Sequence, residues 1–93
     1  MDLAVETREK LGKKVKSLRR EGLIPAELYG HGVKNLHLVV SAREFLKVFK
    51  EAGENTILNL LVDKEKRPVL IHEIKTNYLS GEIDHVDFYE VRL

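Results

Sequence analysis

His85 and Asp87 stand two positions apart in "GEIDHVDFYEV", residues 81 to 91. On a strand, that spacing points both side chains to one face. An imidazole beside a carboxylate supports three kinds of chemistry. The pair could act as a base and its orienter. It could be an ordinary pair of surface groups. Or it could contact RNA, the imidazole donating to a phosphate or base and the carboxylate accepting from a base amino group or a 2′-hydroxyl. The first use needs a nucleophile, and Ser17, Ser41 and Ser80 lie in no nucleophile-elbow context. Enzymatic activity is therefore not expected. The other histidines, His31, His37 and His72, fall at none of the short metal-ligand spacings, and "HEIK" lacks the second histidine of a zincin. With no cysteine in the chain, thiolate sites and disulfides are excluded. Neither a metal nor another cofactor is expected.

A second feature is electrostatic. Residues 8 to 20, "REKLGKKVKSLRR", hold Arg8, Lys10, Lys13, Lys14, Lys16, Arg19 and Arg20 against the single acid Glu9, a net +6. The whole chain totals +1, so the remainder carries −5. Such separation creates a local field for which a polyanion is the natural partner. A solvated, solubilising loop is the plainer alternative. Lysine and arginine on a segment of this kind neutralise phosphates and release counterions. Tyr29 follows closely, either as a core or rim aromatic or as a stacking or hydroxyl contact to nucleic acid. "YGHG", residues 29 to 32, has neither of the glycine spacings that cradle phosphates.

These residues need a rigid support, and the hydrophobic pattern predicts one. Residues 2 to 7 alternate, with Leu3 and Val5 on one face. Val15 and Leu18 suggest one or two helical turns ending at Gly22. In "LIPAELYG", Pro25 forbids helix and pushes Ile24 to an extended conformation; Ala26 and Leu28 share one face, Glu27 and Tyr29 the other. A return strand over 35–40 follows a turn at Gly30–Gly32. Ser41 with Glu44 is a capping box, and Phe45, Val48, Phe49 and Ala52 form one helical face, so a helix is predicted over about residues 42–52. "NTILNLLVD" and "RPVLIHEIKTNYL" are strand-like around a charged "KEK" turn, with Pro68 expected at a strand start or edge. The last strand places Ile83, His85, Asp87 and Tyr89 on one side. Six or seven short strands with one good helix predict a small, mostly β barrel or sandwich.

Length and composition agree. Ninety-three residues suit one domain with one modest core. The acidic start is unlike a signal peptide, and no apolar run approaches a membrane span of roughly 18 residues. A soluble cytoplasmic protein is the expectation.

Three landmarks then fall in order: "R-x-x-x-G-K" at Arg8 to Lys13, "LRREGLIPAELYG" at residues 18 to 30, and "HVDF" at residues 85 to 88. Together they resemble the bacterial large-subunit ribosomal protein L twenty-five family, which includes the 5S rRNA-binding domain of the general stress proteins. The resemblance covers nearly the whole chain. It implies a closed six-stranded β-barrel with helices, bound to the widened minor groove of loop E of 5S rRNA. Shape and minor-groove contacts suit RNA, whose major groove is too deep and narrow to read. By position, the family's RNA contacts fall near Arg8, Lys13, Lys14, Arg19, Tyr29, His85 and Asp87. Lys75 stands where some members carry glutamine.

The combined expectation is a single 5S rRNA-binding barrel domain over residues 1–93 in the large ribosomal subunit, monomeric away from the ribosome. It would have no membrane or small-molecule partner. Its RNA-binding residues would be Arg8, Lys13, Lys14, Lys16, Arg19, Arg20, Tyr29, Lys75, His85 and Asp87. The alternative is a protein-interaction module whose basic loop meets an acidic partner.

Overall fold

A computed structural model of the chain describes residues 1–7, 15–53 and 56–91. Strand β1 (Asp2–Thr7) is followed by helix α1 (Val15–Arg20), strands β2 (Leu23–Gly30) and β3 (Val33–Ser41), and helix α2 (Ala42–Ala52). Strands β4 (Leu58–Val62), β5 (Glu65–Thr76) and β6 (Ile83–Glu90) complete the order. The six strands close into a barrel in the order β1-β3-β2-β6-β5-β4. The choice between barrel and sandwich is thereby resolved as a barrel. Among the described residues, closure leaves no sheet edge unpaired.

Period-two patterning builds the wall. Leu3 and Val5 face inward from β1, Ala26 and Leu28 from β2, Leu38 and Val40 from β3, and Val86 and Phe88 from β6. On β2 and β6 the alternating residues Glu27, Tyr29, His85, Asp87 and Tyr89 are half-buried and belong to the outer face.

Helix α2 adds its apolar stripe to the same core. Ser41, in an extended conformation, caps it by accepting a 3.4 Å hydrogen bond from the Glu44 backbone N–H. At the other end the Gly53 N–H donates to the Phe49 carbonyl at 2.8 Å. Phe45 and Val48 are buried. Phe45 stacks with Phe49 at 5.9 Å and meets Phe88 edge-on at 6.2 Å, tying helix to barrel. Complete burial of a phenylalanine of this kind contributes about 1.5–3 kcal/mol.

Helix α1 is short and stays attached through Leu18, which has no exposed surface. The chain then turns at Gly22, whose φ of 75° is the left-handed conformation expected after a helix end. The Gly22 carbonyl accepts from the Ala42 N–H at 2.9 Å, joining the end of α1 to the start of α2.

Three features differ from the sequence reading. The β4–β5 turn is Asp63–Lys64, with φ values of 45° and 72°, so Glu65 and Lys66 already belong to β5. Positive φ at both central residues matches the right-handed twist of a two-residue hairpin. Pro68 lies inside β5 rather than at its start or at an edge. Its carbonyl accepts from the Val91 N–H at 2.9 Å. In an extended residue the nitrogen faces the same way as the carbonyl, so Pro68 directs its missing N–H beyond the last β5–β6 pair, Val69 with Glu90. Ile83 packs against the core although His85, two positions on, faces outward. The cause is a register shift where Lys75 pairs with His85 but Thr76 pairs with Ile83.

Two strand pairs are parallel, β1 with β4 and β2 with β6. At the end of the second, β2 and β6 come so close that a Cβ on Gly30 would lie 2.9 Å from the Glu90 carbonyl oxygen. A methyl group cannot fit there without moving backbone. Gly30→Ala is expected to cost about 1–3 kcal/mol of unfolding free energy, seen as a lower urea midpoint at unchanged m-value.

Candidate nucleic-acid interface

The register across β3, β2, β6 and β5 assembles one outer face. Glu27 pairs with His37 on one side and with Asp87 on the other, and Asp87 pairs in turn with Glu73. One row along, Lys75 pairs with His85; in the opposite direction, Tyr29 pairs with Tyr89. Tyr29, Lys75, His85 and Asp87 therefore share a surface although they come from three strands.

His85 and Asp87 do more than share a face. The Nδ1 of His85 lies 3.0 Å from Oδ1 of Asp87, with the two side chains 24% and 16% exposed. That contact fixes the imidazole plane. It assigns Nδ1–H as the donor to Asp87 and leaves Nε2 for an external partner. His37 and Glu27 repeat the arrangement at 3.3 Å, in a more exposed position. One nitrogen or oxygen from each of Glu27, His85 and Asp87 falls within 4.8 Å of the others. Half-exposed acids reach such spacing without holding a metal ion, and among the described residues nothing further in the geometry points to one.

Tyr29 is the centre of an aromatic group. Its ring meets those of His72 and Tyr89 edge-on, each at a centroid distance of 5.7 Å. The pKa of its phenol is raised above the ordinary value of 10.0. Burial is the largest cause, followed by the negative charges of Asp87, Glu73 and Glu27 and a smaller effect of Tyr89. Like any tyrosine hydroxyl at neutral pH, it is a hydrogen-bond donor as well as an acceptor.

The cationic residues are placed less completely. Arg20 is exposed at the end of α1, and Lys75 is exposed on β5. Lys16 and Arg19 belong to α1, but their side chains lie outside what the structure describes. Arg8, Lys13 and Lys14 lie outside the described residues. The sequence reading missed Glu27, His72, Glu73 and Tyr89 as members of the face. Glu27 and Tyr89 carried a signal, since each alternates in phase with a residue already singled out. The apolar recess between Leu23, Ala42, Leu46 and Ile83 shares no residue with this face.

Fold and face define a class: a small closed β-barrel that presents a preformed polar and aromatic surface on its outer wall. Comparison with known sequences makes the class specific. The Ribosomal L25p family model matches residues 3–88, and the chain belongs to that family. It is 37% identical over 95 residues to the large ribosomal subunit protein bL25 of Dehalococcoides mccartyi, a match covering all of this chain and 44% of that protein. Identity to the bL25 protein of Halalkalibacterium halodurans is 37% over 93 residues, covering 98% of this chain and 43% of the relative. The bL25 protein of Caldicellulosiruptor saccharolyticus is 45% identical over 71 residues, 76% of this chain and 35% of the relative. The chain thus spans less than half the length of these relatives.

The raised phenol pKa has a measurable consequence. Below pH 10 both folded and unfolded Tyr29 are protonated, and the stabilising difference is fully present. Above pH 10 the unfolded phenol ionises first, so this part of the stability is lost as pH rises through the folded value. Wild-type protein is expected to lose more unfolding free energy above pH 10 than Tyr29→Phe does. In ultraviolet titrations, Asp87→Asn should lower the ionisation midpoint of Tyr29, because Asp87 supplies the largest charge contribution.

Proposed function

We propose that residues 1–93 form a 5S rRNA-binding domain of the large ribosomal subunit, docking on the minor-groove face of loop E. The observation that carries this reading is the common outer face of Tyr29, Lys75, His85 and Asp87. Membership of a ribosomal protein family supports the same partner and a ribosomal, hence cytoplasmic, location.

The chemistry divides between two parts. The basic segment from Arg8 through Lys13, Lys14, Lys16, Arg19 and Arg20 supplies phosphate contacts, which position the protein and make binding salt-dependent. The barrel face supplies recognition of shape and groove. Carboxylates at its centre turn phosphates away and accept hydrogen bonds from amino groups and 2′-hydroxyls, the donors that a widened minor groove exposes. Tyr29 offers a donor hydroxyl beside them, and Nε2 of His85 offers a contact directed by Asp87. Lys75 meets phosphate where some relatives would make a base-edge contact. No helix among the described residues is long and apolar enough to cross a membrane.

Imino-proton spectra of a loop E duplex, titrated with the protein at two salt concentrations, test the reading. Specific shifts of the irregular base pairs are expected. About five phosphate contacts would give a slope of log K against log salt on the order of −3 to −5. Arg19→Ala combined with Arg20→Ala should weaken binding severalfold and leave the thermal midpoint unchanged. RNA spectra unaltered at low salt would reject the proposal. Wild-type affinity in the double variant would favour the alternative, a basic loop that meets an acidic protein.

A further inference from the structure

Strand β5 carries one residue more than its partner β6 requires. Ile71 pairs with Phe88 and Glu73 with Asp87, which leaves His72 as the extra residue of a bulge. Ile71 and Ile74 turn toward the core, whereas the consecutive residues His72 and Glu73 are both exposed. Regular alternation would have hidden one of them. Bulges are a common means of re-aiming a side chain toward a functional surface.

This bulge brings His72 to Tyr29 and Tyr89. The three rings come from β5, β2 and β6, with centroid distances of 5.7 Å for Tyr29–His72 and Tyr29–Tyr89 and 6.4 Å for His72–Tyr89. Tyr29 stands at 81° and 84° to its two neighbours. Rings set at right angles make an uneven wall and not a flat platform, so a stacked nucleobase is a poor fit. Glu73 adjoins the wall: it is close enough to oppose ionisation of Tyr29. With Asp87 beside it in register, it also disfavours a phosphate at this spot. A group that suits both features is uncharged, rich in C–H, and bears a hydroxyl donor.

Resting on the RNA-binding reading above, we propose that Tyr29, His72 and Tyr89 cradle a ribose of the bound RNA, whose 2′-hydroxyl donates to the Glu73 carboxylate. The cradle is continuous with the interface through Tyr29, which belongs to both. It gives the protein a means of telling RNA from DNA at one nucleotide, since the 2′-hydroxyl is what differs there.

The test pairs protein variants with RNA variants in one cycle. Binding of the loop E duplex, and of duplexes carrying single 2′-deoxy substitutions, is measured by fluorescence anisotropy. The proteins are wild type, His72→Ala, Glu73→Ala and Glu73→Gln, each checked for folding by urea unfolding. His72 and Glu73 are exposed, so these variants should fold. One 2′-deoxy substitution is expected to weaken wild-type binding about tenfold, the loss of a hydrogen bond to a charged group. The same substitution should have no further effect on Glu73→Ala and an intermediate effect on Glu73→Gln, which keeps an acceptor. His72→Ala should weaken binding and reduce the discrimination. If every deoxy substitution weakens wild type and Glu73→Ala equally, or none weakens wild type, the cradle is wrong while the RNA-binding reading stands. If wild type binds no loop E RNA at all, both fall.

Discussion

The parallel pairing of β2 with β6 is the constraint on which the rest depends. It closes one side of the barrel and joins Glu27 to Asp87 and Tyr29 to Tyr89 in a single row system. Without it, the two strands that carry the outward aromatic and acidic residues would have no fixed relation. Gly30 is the residue that lets the pairing run to its end, because a side chain there would strike the Glu90 carbonyl. Ala26, Leu28, Val86 and Phe88 hold the same pair from inside by burying their side chains completely. Each strand therefore serves two surfaces. Its inward residues contribute the burial energy, and its outward residues inherit positions fixed by that burial.

The face so held is polar without being loose. Two of its acids are each met by an imidazole, Asp87 by His85 and Glu27 by His37. Side-chain entropy that binding would otherwise cost is thereby lost on folding, which is the physical meaning of preorganisation. The burial of Tyr29, together with surrounding negative charge, raises the pKa of its phenol. In the proposed complex, a basic segment of net +6 in a chain whose remainder carries −5 separates attraction from selection. Under that proposal, long-range attraction would come from one part of the chain and short-range fit from another.

Much of this architecture was legible in the sequence because it follows short periods. The alternation of Leu3 with Val5, the cap at Ser41 with Glu44, and the helical stripe of Phe45 and Val48 all appear as read. So does the shared side of His85 and Asp87, since two residues on one strand need no knowledge of their neighbours. The membership of Glu73 and His72 was not legible. It depends on a bulge, and a bulge is set by the pairing between strands rather than by the pattern within one. For the same reason Ile83 looked like an outward residue and packs inward. Pro68 was misplaced because its tolerance depends on where β6 stops, a fact about another segment. The row from His37 to Glu73 spans four strands, and its order follows from barrel topology alone.

The distances along the chain carry one more consequence. Ala26 meets Val86 only after sixty further residues have been made, and Asp2 meets Asn59 across nearly as long a gap. Contacts so remote in sequence form late, after considerable loop entropy has been lost. The outer face thus has no partial version: a nascent chain that lacks its last strand has the tyrosine but neither the histidine nor the aspartate beside it. The complete surface exists only once synthesis has passed Glu90 and the barrel has shut.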